Sequence, residues 1–301
     1  MSLPGYPFTS RRFVRRDGIG QHYLDEGAGA PVLMLHGNPS WSYMWRRLIL
    51  CLRGEHRCVA PDHIGMGLSD KPGEDRYAYT LASRVDDLDA LTEHLIGTQG
   101  APAHGWTLVM HDWGGPIGMS WARRHPERVA RLVVLNTAAF PNPRGSRVRP
   151  LLRAPFWVLR ETRLGARLFL RHNVFNRLAT LPPLGVRRRM PGPVRAAFLA
   201  PGELPGQRVA VRRFVQDIPL GPGDPAWPVL ERTGEALGQF ADRPMLIGWG
   251  LRDLVFDQVI LRRWRERFPA AEVHLFRDAG HYLLEDAHDR LLPAIRAFLR
   301  D

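Results

Sequence analysis

The sequence predicts an α/β protein built on a doubly wound, mostly parallel sheet of eight strands. Along most of its 301 residues, short runs rich in β-branched residues alternate with helical patterns, which is typical of parallel sheets. The inner runs are almost continuously apolar, as expected for strands that are buried on both faces. The alternation breaks once, and this break predicts a segment inserted between two strands.

The strands are identified by these apolar runs and the helices by the patterns between them. We predict strands at Arg12–Arg16, Gln21–Glu26, Val32–His36, Arg57–Pro61, Thr107–His111, Leu132–Asn136, Met245–Trp249 and Val273–Phe276. We predict helices at Tyr43–Leu52, Thr80–Ile96, Gly114–Arg124, Asp257–Phe268 and Ala287–Leu299.

The break lies between Pro141 and Pro228, where Pro and Gly clusters, helical fragments and few strand signals occur. Because this segment is rich in Leu, Val, Phe and Trp, we expect it to fold rather than form a flexible linker. We therefore predict a core domain of residues 1–140 and 229–301, and a helical cap, or lid, of residues 141–228.

The composition is that of an ordinary globular protein, with 45% hydrophobic and 24% charged residues. No apolar run approaches the roughly 18–20 residues that a membrane span requires. The N-terminus lacks the apolar stretch of a secretory signal. Cys51 and Cys58 are the only cysteines, which is too few for a disulfide scaffold, and no zinc-like spacing occurs. These features predict a cytoplasmic protein.

The positive charge is concentrated in the predicted cap. The formal net charge is +12, and Lys71 is the only lysine. Residues 141–200 contain 13 arginines and a single acid, Glu161. Such a region suggests an anionic partner, either a lipid surface or an acidic protein. No zinc-finger, RNP or basic-zipper pattern points to nucleic acid.

The spacing of the cap arginines predicts an amphipathic surface. A helix would place most of five arginines on one face, with apolar residues between them: Arg153, Arg160, Arg163, Arg167 and Arg171. We expect this surface to contact an anionic membrane peripherally, or an acidic partner protein. The alternative is a solvated arginine face enlarged by GC-rich codon usage.

The run VMHDWGG, which ends the fifth predicted strand, has the layout of a nucleophile elbow. Gly114 fits the usual pattern, whereas Met110 stands where a small residue is usual. Asp112 occupies the nucleophile position. A carboxylate is already ionised at neutral pH, so it can attack an electrophilic carbon without a base and form a covalent ester.

The loop HGNP directly follows the third predicted strand, at His36–Pro39. In folds with a nucleophile elbow, this loop supplies one oxyanion-hole N–H and the residue after the nucleophile supplies the other. These residues would be Asn38 and Trp113. Their side chains offer an amide and an indole N–H, which could hold a leaving anion.

Two later loops supply a histidine and an acid. His281 follows the last predicted strand and Asp253 follows the one before, so the order Asp112, Asp253, His281 matches nucleophile, acid and histidine. Arg252 is a candidate for supporting the site. Asp257 is a weaker acid candidate because it should start the next helix.

Other residues near these motifs are expected to have no catalytic part. Asn136 ends the sixth predicted strand, where an acid could otherwise stand, but it cannot carry charge. His36 and His111 are expected to be structural.

Together, HGNPSWSYMW, HDWGG, WGLRD and DAGHYLLEDA resemble the haloalkane dehalogenase-like α/β-hydrolases, and the candidate residues resemble those of their third subfamily. Further strings resemble the cis-3-alkyl-4-alkyloxetan-2-one decarboxylases, which are the β-lactone decarboxylases of bacterial olefin biosynthesis. These strings are DHIGMGLSDKP, RYAYTL, LNTAAFP, RRMP, RFVQDIPL and FADRP. The resemblance runs from about Tyr6 to the C-terminus and implies an α/β-hydrolase fold with an inserted cap.

The resemblance implies a hydrophobic substrate, a four-membered lactone with two long alkyl chains. This lactone would be converted to a cis-olefin and CO₂ through a covalent intermediate on Asp112. The resemblance implies no metal or organic cofactor, and it implies the β-lactone synthetase of the same pathway as a partner.

Three alternatives stay open. Haloalkane dehalogenation is the first, since every residue that it requires is present. Epoxide hydrolysis is weaker, because that family uses cap tyrosines and all six tyrosines here lie outside residues 141–228. The third is a non-catalytic hydrolase-fold protein that binds a ligand.

Overall fold

A single eight-stranded sheet forms the centre of the molecule, in the order β1-β2-β4-β3-β5-β6-β7-β8. The structure is a computed structural model, and it describes residues 3–141 and 157–300. Strand β1 pairs antiparallel with β2, and β2 pairs antiparallel with β4, whereas the remaining neighbours are parallel. The strands are β1 Arg11–Val14, β2 Gly20–Glu26, β3 Ala30–Leu35, β4 His56–Pro61, β5 Trp106–Asp112, β6 Val129–Thr137, β7 Met245–Gly250 and β8 Glu272–Phe276.

Helices cover both faces of this sheet, as a doubly wound fold requires. Within the described ranges, the helices outside the inserted segment are α1 Arg46–Leu52, α2 Leu81–Thr98, α3 Gly114–Arg124, α9 Gln258–Arg267, α10 Leu283–Asp286 and α11 His288–Arg300. Those between β6 and β7 are α4 Arg163–Leu170, α5 Val174–Ala179, α6 Gly192–Leu199, α7 Val209–Gln216 and α8 Trp227–Glu235. Residues 157–161 are helical as well.

The alternation of side chains along the inner strands divides the core into two layers. Leu33 and Leu35 of β3 pack on the face that also buries Trp121 of α3. Val32 and Met34 pack on the opposite face, with α1 and α11. All four side chains are inaccessible to solvent, which explains why the inner strands have near-continuous apolar sequences.

The predicted elements agree with the observed ones to within a few residues. Each predicted strand overlaps an observed strand, and the helix at Gly114–Arg124 has the predicted bounds. The largest difference at a strand start is in β6, which begins at Val129 rather than at Leu132. The fold class is confirmed.

The described part of the segment between β6 and β7 contains helices and no strand. This agrees with a helical insertion, while the division into a core domain and a cap domain stays a prediction. Among the residues that the structure describes, no helix is long and apolar enough to cross a membrane.

Candidate active site

A strained turn at the end of β5 carries Asp112. Its backbone is left-handed (φ 52°), a conformation that a non-glycine residue adopts at some energetic cost. Helix α3 begins two residues later at Gly114, where a Cβ would lie 2.0 Å from the carbonyl oxygen of Leu35. The glycine therefore lets the helix start close against β3, and the turn lifts Asp112 above the carboxyl end of the sheet.

The two carboxylate oxygens of Asp112 have different surroundings. Oδ1 accepts a hydrogen bond from the main-chain N–H of Asn38 at 2.5 Å, and the carboxylate also accepts one from the main-chain N–H of Trp113. Oδ2 lies 3.7 Å from Nε2 of His281. Gly37 makes room for the Asp112 carboxylate, because a Cβ at residue 37 would lie 2.0 Å from Oδ1. One oxygen is thus fixed by the main chain, and the other is free to react.

The ring of His281 lies between two carboxylates. Its Nδ1 is 2.9 Å from Oδ2 of Asp253, and its Nε2 faces Asp112. Burial alone would lower the pKa of His281, but the charge and hydrogen bond of Asp253 and the charge of Asp112 raise it to about 9. Burial raises the pKa of Asp112, while His281 and the two main-chain N–H groups oppose that effect.

Both oxygens of Asp253 are held. Oδ1 accepts main-chain hydrogen bonds from Val255 at 2.7 Å and Phe256 at 3.2 Å. Oδ2 accepts one from the Asn136 amide at 2.9 Å as well as the one from His281. A carboxylate saturated in this way is suited to orienting an imidazole rather than to attacking a substrate.

The side-chain donors of Asn38 and Trp113 face the inserted segment. One amide hydrogen of Asn38 is donated to the carbonyl of Val211 at 3.1 Å, which leaves the other available. Within residues 3–141 and 157–300, no group accepts a hydrogen bond from the Trp113 indole, whose ring lies 5.3 Å from that of Phe214. The two side chains can therefore donate to a bound group.

Comparison with known proteins identifies the family. Residues 30–288 match the family described as alpha/beta hydrolase fold. The chain belongs to the α/β-hydrolase family.

Curated relatives of the chain include enzymes of two kinds. The cis-3-alkyl-4-alkyloxetan-2-one decarboxylase of Xanthomonas campestris is 51% identical over 99% of this chain and 98% of the relative. The protein of the same name from Shewanella oneidensis is 47% identical over 98% of this chain and 89% of the relative. Haloalkane dehalogenase 2 of Mycobacterium bovis is 34% identical over 96% of this chain and 94% of the relative.

The geometry of this α/β-hydrolase brings together five predicted site residues: Asp112, His281, Asp253, Asn38 and Trp113. It does not bring the Arg252 side chain to them. That side chain is exposed and donates to the carbonyl of Arg277 at 3.0 Å. Arg252 supports the site only through its main-chain N–H, which donates to Ala279 two residues before His281.

The other predicted residues have structural positions. Asp257 caps α9 by accepting hydrogen bonds from Val259 and Ile260. His36 is fully buried, where Nδ1 donates to the carbonyl of Gly37 at 2.9 Å and Nε2 accepts from the main-chain N–H of His63. This bonding fixes the loop that carries Asn38.

Three supporting contacts were not predicted from the sequence. Asn136 donates to Asp253, His111 donates from Nε2 to the carbonyl of His281 at 2.8 Å, and Thr137 donates to the carbonyl of Asp112. Their positions in the sequence could have identified them, because Asn136 and Thr137 end β6 beside the nucleophile strand and His111 precedes the nucleophile.

Within the described ranges, one group of side chains lies close enough together to hold a metal ion. This group lies apart from the candidate active site. Asp89, Glu93 and His125 have ligand atoms within 4.8 Å of one another. Arg128 pairs with Glu93 at 2.6 Å, and Arg124 lies 3.8 Å from Asp89. The two arginines neutralise the negative charge that these carboxylates would otherwise offer to a cation.

Proposed function

We propose that this α/β-hydrolase is a β-lactone decarboxylase that converts a cis-3,4-dialkyl-oxetan-2-one into a cis-olefin and CO₂. The observation that carries the proposal is the 51% identity, over almost the whole chain, to a protein named for this decarboxylation. The site supplies a suitable nucleophile, since one oxygen of Asp112 is held by the main chain and the other is free.

In the first step, Oδ2 of Asp112 attacks the ring carbon that bears the lactone oxygen. A carbon–oxygen bond forms to Asp112, and the bond to the ring oxygen breaks with inversion. The electron pair stays on the ring oxygen, which becomes part of a carboxylate on the neighbouring carbon. The remaining amide hydrogen of Asn38 and the Trp113 indole are placed to donate to this new carboxylate.

In the second step, the carboxylate leaves as CO₂. The electrons of its carbon–carbon bond form the double bond, and the bond to Asp112 breaks, so that the Asp112 carboxylate is restored. Inversion followed by anti elimination leaves the two alkyl groups cis. The step requires no water, oxidant or proton, because the olefin and CO₂ together contain all the atoms of the lactone.

The surroundings of Asp112 favour attack at the ring carbon over attack at the ring carbonyl. Carbonyl attack produces a tetrahedral oxyanion, which needs N–H donors at an oxyanion hole. The main-chain donors of Asn38 and Trp113 already bind the Asp112 carboxylate. Attack at the ring carbon produces a carboxylate instead of a tetrahedral oxyanion, and the side-chain donors of Asn38 and Trp113 can hold it without the main-chain donors.

Turnover in heavy-oxygen water tests whether Asp112 is restored by elimination or by hydrolysis. Ring-carbon attack and elimination return both original oxygens to Asp112, so the peptide that contains Asp112 should stay unlabelled after many turnovers. The measurement is mass spectrometry of that peptide. Incorporation of heavy oxygen into Asp112 would contradict the elimination and would indicate that water attacks an acylated or alkylated enzyme.

Replacement of the nucleophile tests the proposal itself. Asp112→Ala should reduce olefin release from a synthetic cis-β-lactone to the uncatalysed level, because no covalent intermediate can form. Olefin is measured by gas chromatography, and circular dichroism checks that the variant is folded. Near-native olefin release by the variant would exclude covalent catalysis by Asp112.

Haloalkane dehalogenation is the second candidate, favoured by the 34% identity to a haloalkane dehalogenase and by the same five residues. In that reaction Asp112 displaces halide, and His281 activates the water that hydrolyses the ester. Halide release from a haloalkane, without olefin release from the lactone, would establish this candidate instead.

A further inference from the structure

Helix α4 exposes one basic face. At about 100° per residue, Arg163, Arg167 and Arg171 fall within one arc of the helix, and Leu164 lies beside them. The three arginines are exposed, and Leu164 is 57% exposed. Gly165 and Phe169, on the opposite side, are buried. We call the arc formed by Arg163, Leu164, Arg167 and Arg171 the α4 face.

The predicted amphipathic surface is smaller than the sequence suggested. Arg153 lies outside the described residues. Arg160 does not belong to the surface, because its guanidinium is buried and pairs with Glu161 at 2.8 Å and Asp224 at 2.7 Å. The predicted helical repeat is also interrupted, because the extended backbone of Thr162 separates Arg160 from α4. The carboxylate of Asp224, 64 residues later in the chain, holds Arg160 inward.

The charges of the α4 face have no counterions within the described part of the chain. Of the ion pairs that the structure contains there, none involves Arg163, Arg167 or Arg171. Glu161 is the single acid between residues 141 and 200, and it is already paired with Arg160. The face therefore presents three uncompensated guanidinium groups to an external partner.

Two large apolar side chains are exposed close to these arginines in the sequence. Trp157 is 60% exposed and belongs to the helical residues that precede α4 in the chain, and Leu164 stands within the face itself. Tryptophan favours the interface between water and lipid, and arginine can extend its guanidinium to a phosphate while its methylenes lie on apolar groups. Cations interleaved with apolar side chains complement a layer of phosphates above hydrocarbon.

We propose that the α4 face binds the surface of an anionic phospholipid bilayer, with Leu164 and Trp157 entering the interfacial region. The face offers only positive and apolar groups. The carboxylates of an acidic protein would complement the arginines of the face but not Leu164 and Trp157. This proposal is independent of the reaction that Asp112 performs.

The test compares vesicles that contain phosphatidylglycerol with vesicles of phosphatidylcholine alone, by co-sedimentation with the purified protein. We expect binding to the anionic vesicles at low salt, weaker binding at high salt, and little binding to the neutral vesicles. The triple variant R163Q/R167Q/R171Q should bind the anionic vesicles about 100-fold more weakly, since each basic group near an anionic surface contributes about fivefold.

A matched control separates the face from the net charge. The variant R16Q/R262Q/R265Q removes three exposed arginines outside the inserted segment and should bind like the wild type. Equal losses in the two triple variants would overturn the proposal, as would equal binding to neutral and anionic vesicles or none to either. Trp157→Ala should weaken the binding that persists at high salt. An unchanged affinity at high salt would contradict the entry of Trp157 into the interfacial region.

Turnover of a short, water-soluble lactone provides the final readout. R163Q/R167Q/R171Q should keep this activity, because none of the three side chains contacts Asp112, His281 or Asp253. A collapse of turnover alongside the loss of vesicle binding would assign these arginines to the active site and would contradict a docking surface.

Discussion

The two carboxylates beside His281 differ in which of their oxygens are occupied. Both oxygens of Asp253 accept hydrogen bonds from protein groups, so it can hold the imidazole but has no free oxygen with which to attack. Asp112 has Oδ1 held by Asn38 and Oδ2 facing the reacting space. The distinction between nucleophile and orienting acid follows from these contacts, whereas the sequence order only suggested it.

Replacement of His281 tests what the histidine does. In the elimination scheme Asp112 is restored without water, so His281→Ala should slow olefin release by about 100- to 1,000-fold through lost charge stabilisation, without trapping an ester. Intact mass spectrometry after addition of the β-lactone should show the unmodified enzyme. An adduct that persists with the mass of the whole substrate would mean that elimination itself depends on His281.

At the scale of elements, helix α7 connects the inserted segment to the site. The carbonyl of Val211 accepts from the Asn38 amide, and Phe214 packs on Trp113. The guanidinium of Arg84, which is fully buried in α2, lies 3.6 Å from the centre of the Phe214 ring. Movement of α7 would therefore change the orientation of both side-chain donors at once.

The C-terminal end of α7 carries a buried carboxylate. Asp217 accepts a hydrogen bond from the main-chain N–H of Leu81, at the start of α2, and lies 3.9 Å from Arg84. Burial raises the pKa of Asp217 to about 6, against the lowering effects of Arg84 and of the Leu81 N–H. The contact between α7 and α2 consequently depends on pH above the range in which most carboxylates titrate.

We predict a matching pH dependence of the free energy of unfolding. Because the folded pKa of Asp217 is raised, its stabilisation is complete below about pH 4 and is lost as the pH rises through about 6. The wild type should therefore lose up to about 3 kcal/mol over this range relative to Asp217→Asn. Urea unfolding at several pH values measures the difference.

An exposed aspartate provides the control for this prediction. Asp242→Asn changes the net charge equally at a carboxylate that is 71% exposed, and it should follow the wild-type pH profile. Parallel profiles for the wild type and Asp217→Asn would show that Asp217 titrates as an ordinary carboxylate in the folded protein.

At the scale of the whole molecule, the fold could be predicted because its signals are local. The apolar runs of β3, β5 and β6 report burial on both faces, and the glycines after Asp112 report a sharp turn. Residues placed by these elements, such as His281 after β8, could be predicted for the same reason.

Contacts between distant segments could not be predicted in this way. The burial of Arg160 depends on Asp224, and the bond from Asn136 to Asp253 joins residues 117 positions apart. Nothing in the sequence near either residue signals its partner. The sequence did predict that the main-chain N–H of Asn38 lies near Asp112. It did not predict that this N–H binds the Asp112 carboxylate itself, which depends on the close approach of two loops at Gly37.

His281 lies between the carboxylates of Asp112 and Asp253, which raise its pKa to about 9, so that the imidazole carries a proton at neutral pH. Esterification removes the charge of Asp112. When the leaving group is a free halide, the imidazolium loses a counterion, its pKa falls, and it becomes a base that can deprotonate water.

When the leaving group is a carboxylate tethered to the ester, it cannot leave the site, and its negative charge stays there on the side-chain donors of Asn38 and Trp113. The imidazolium then keeps its proton and cannot activate water, which leaves loss of CO₂ as the open path. The same five side chains would therefore hydrolyse one class of ester and eliminate an olefin from another. The substrate, rather than the enzyme, would determine which reaction occurs.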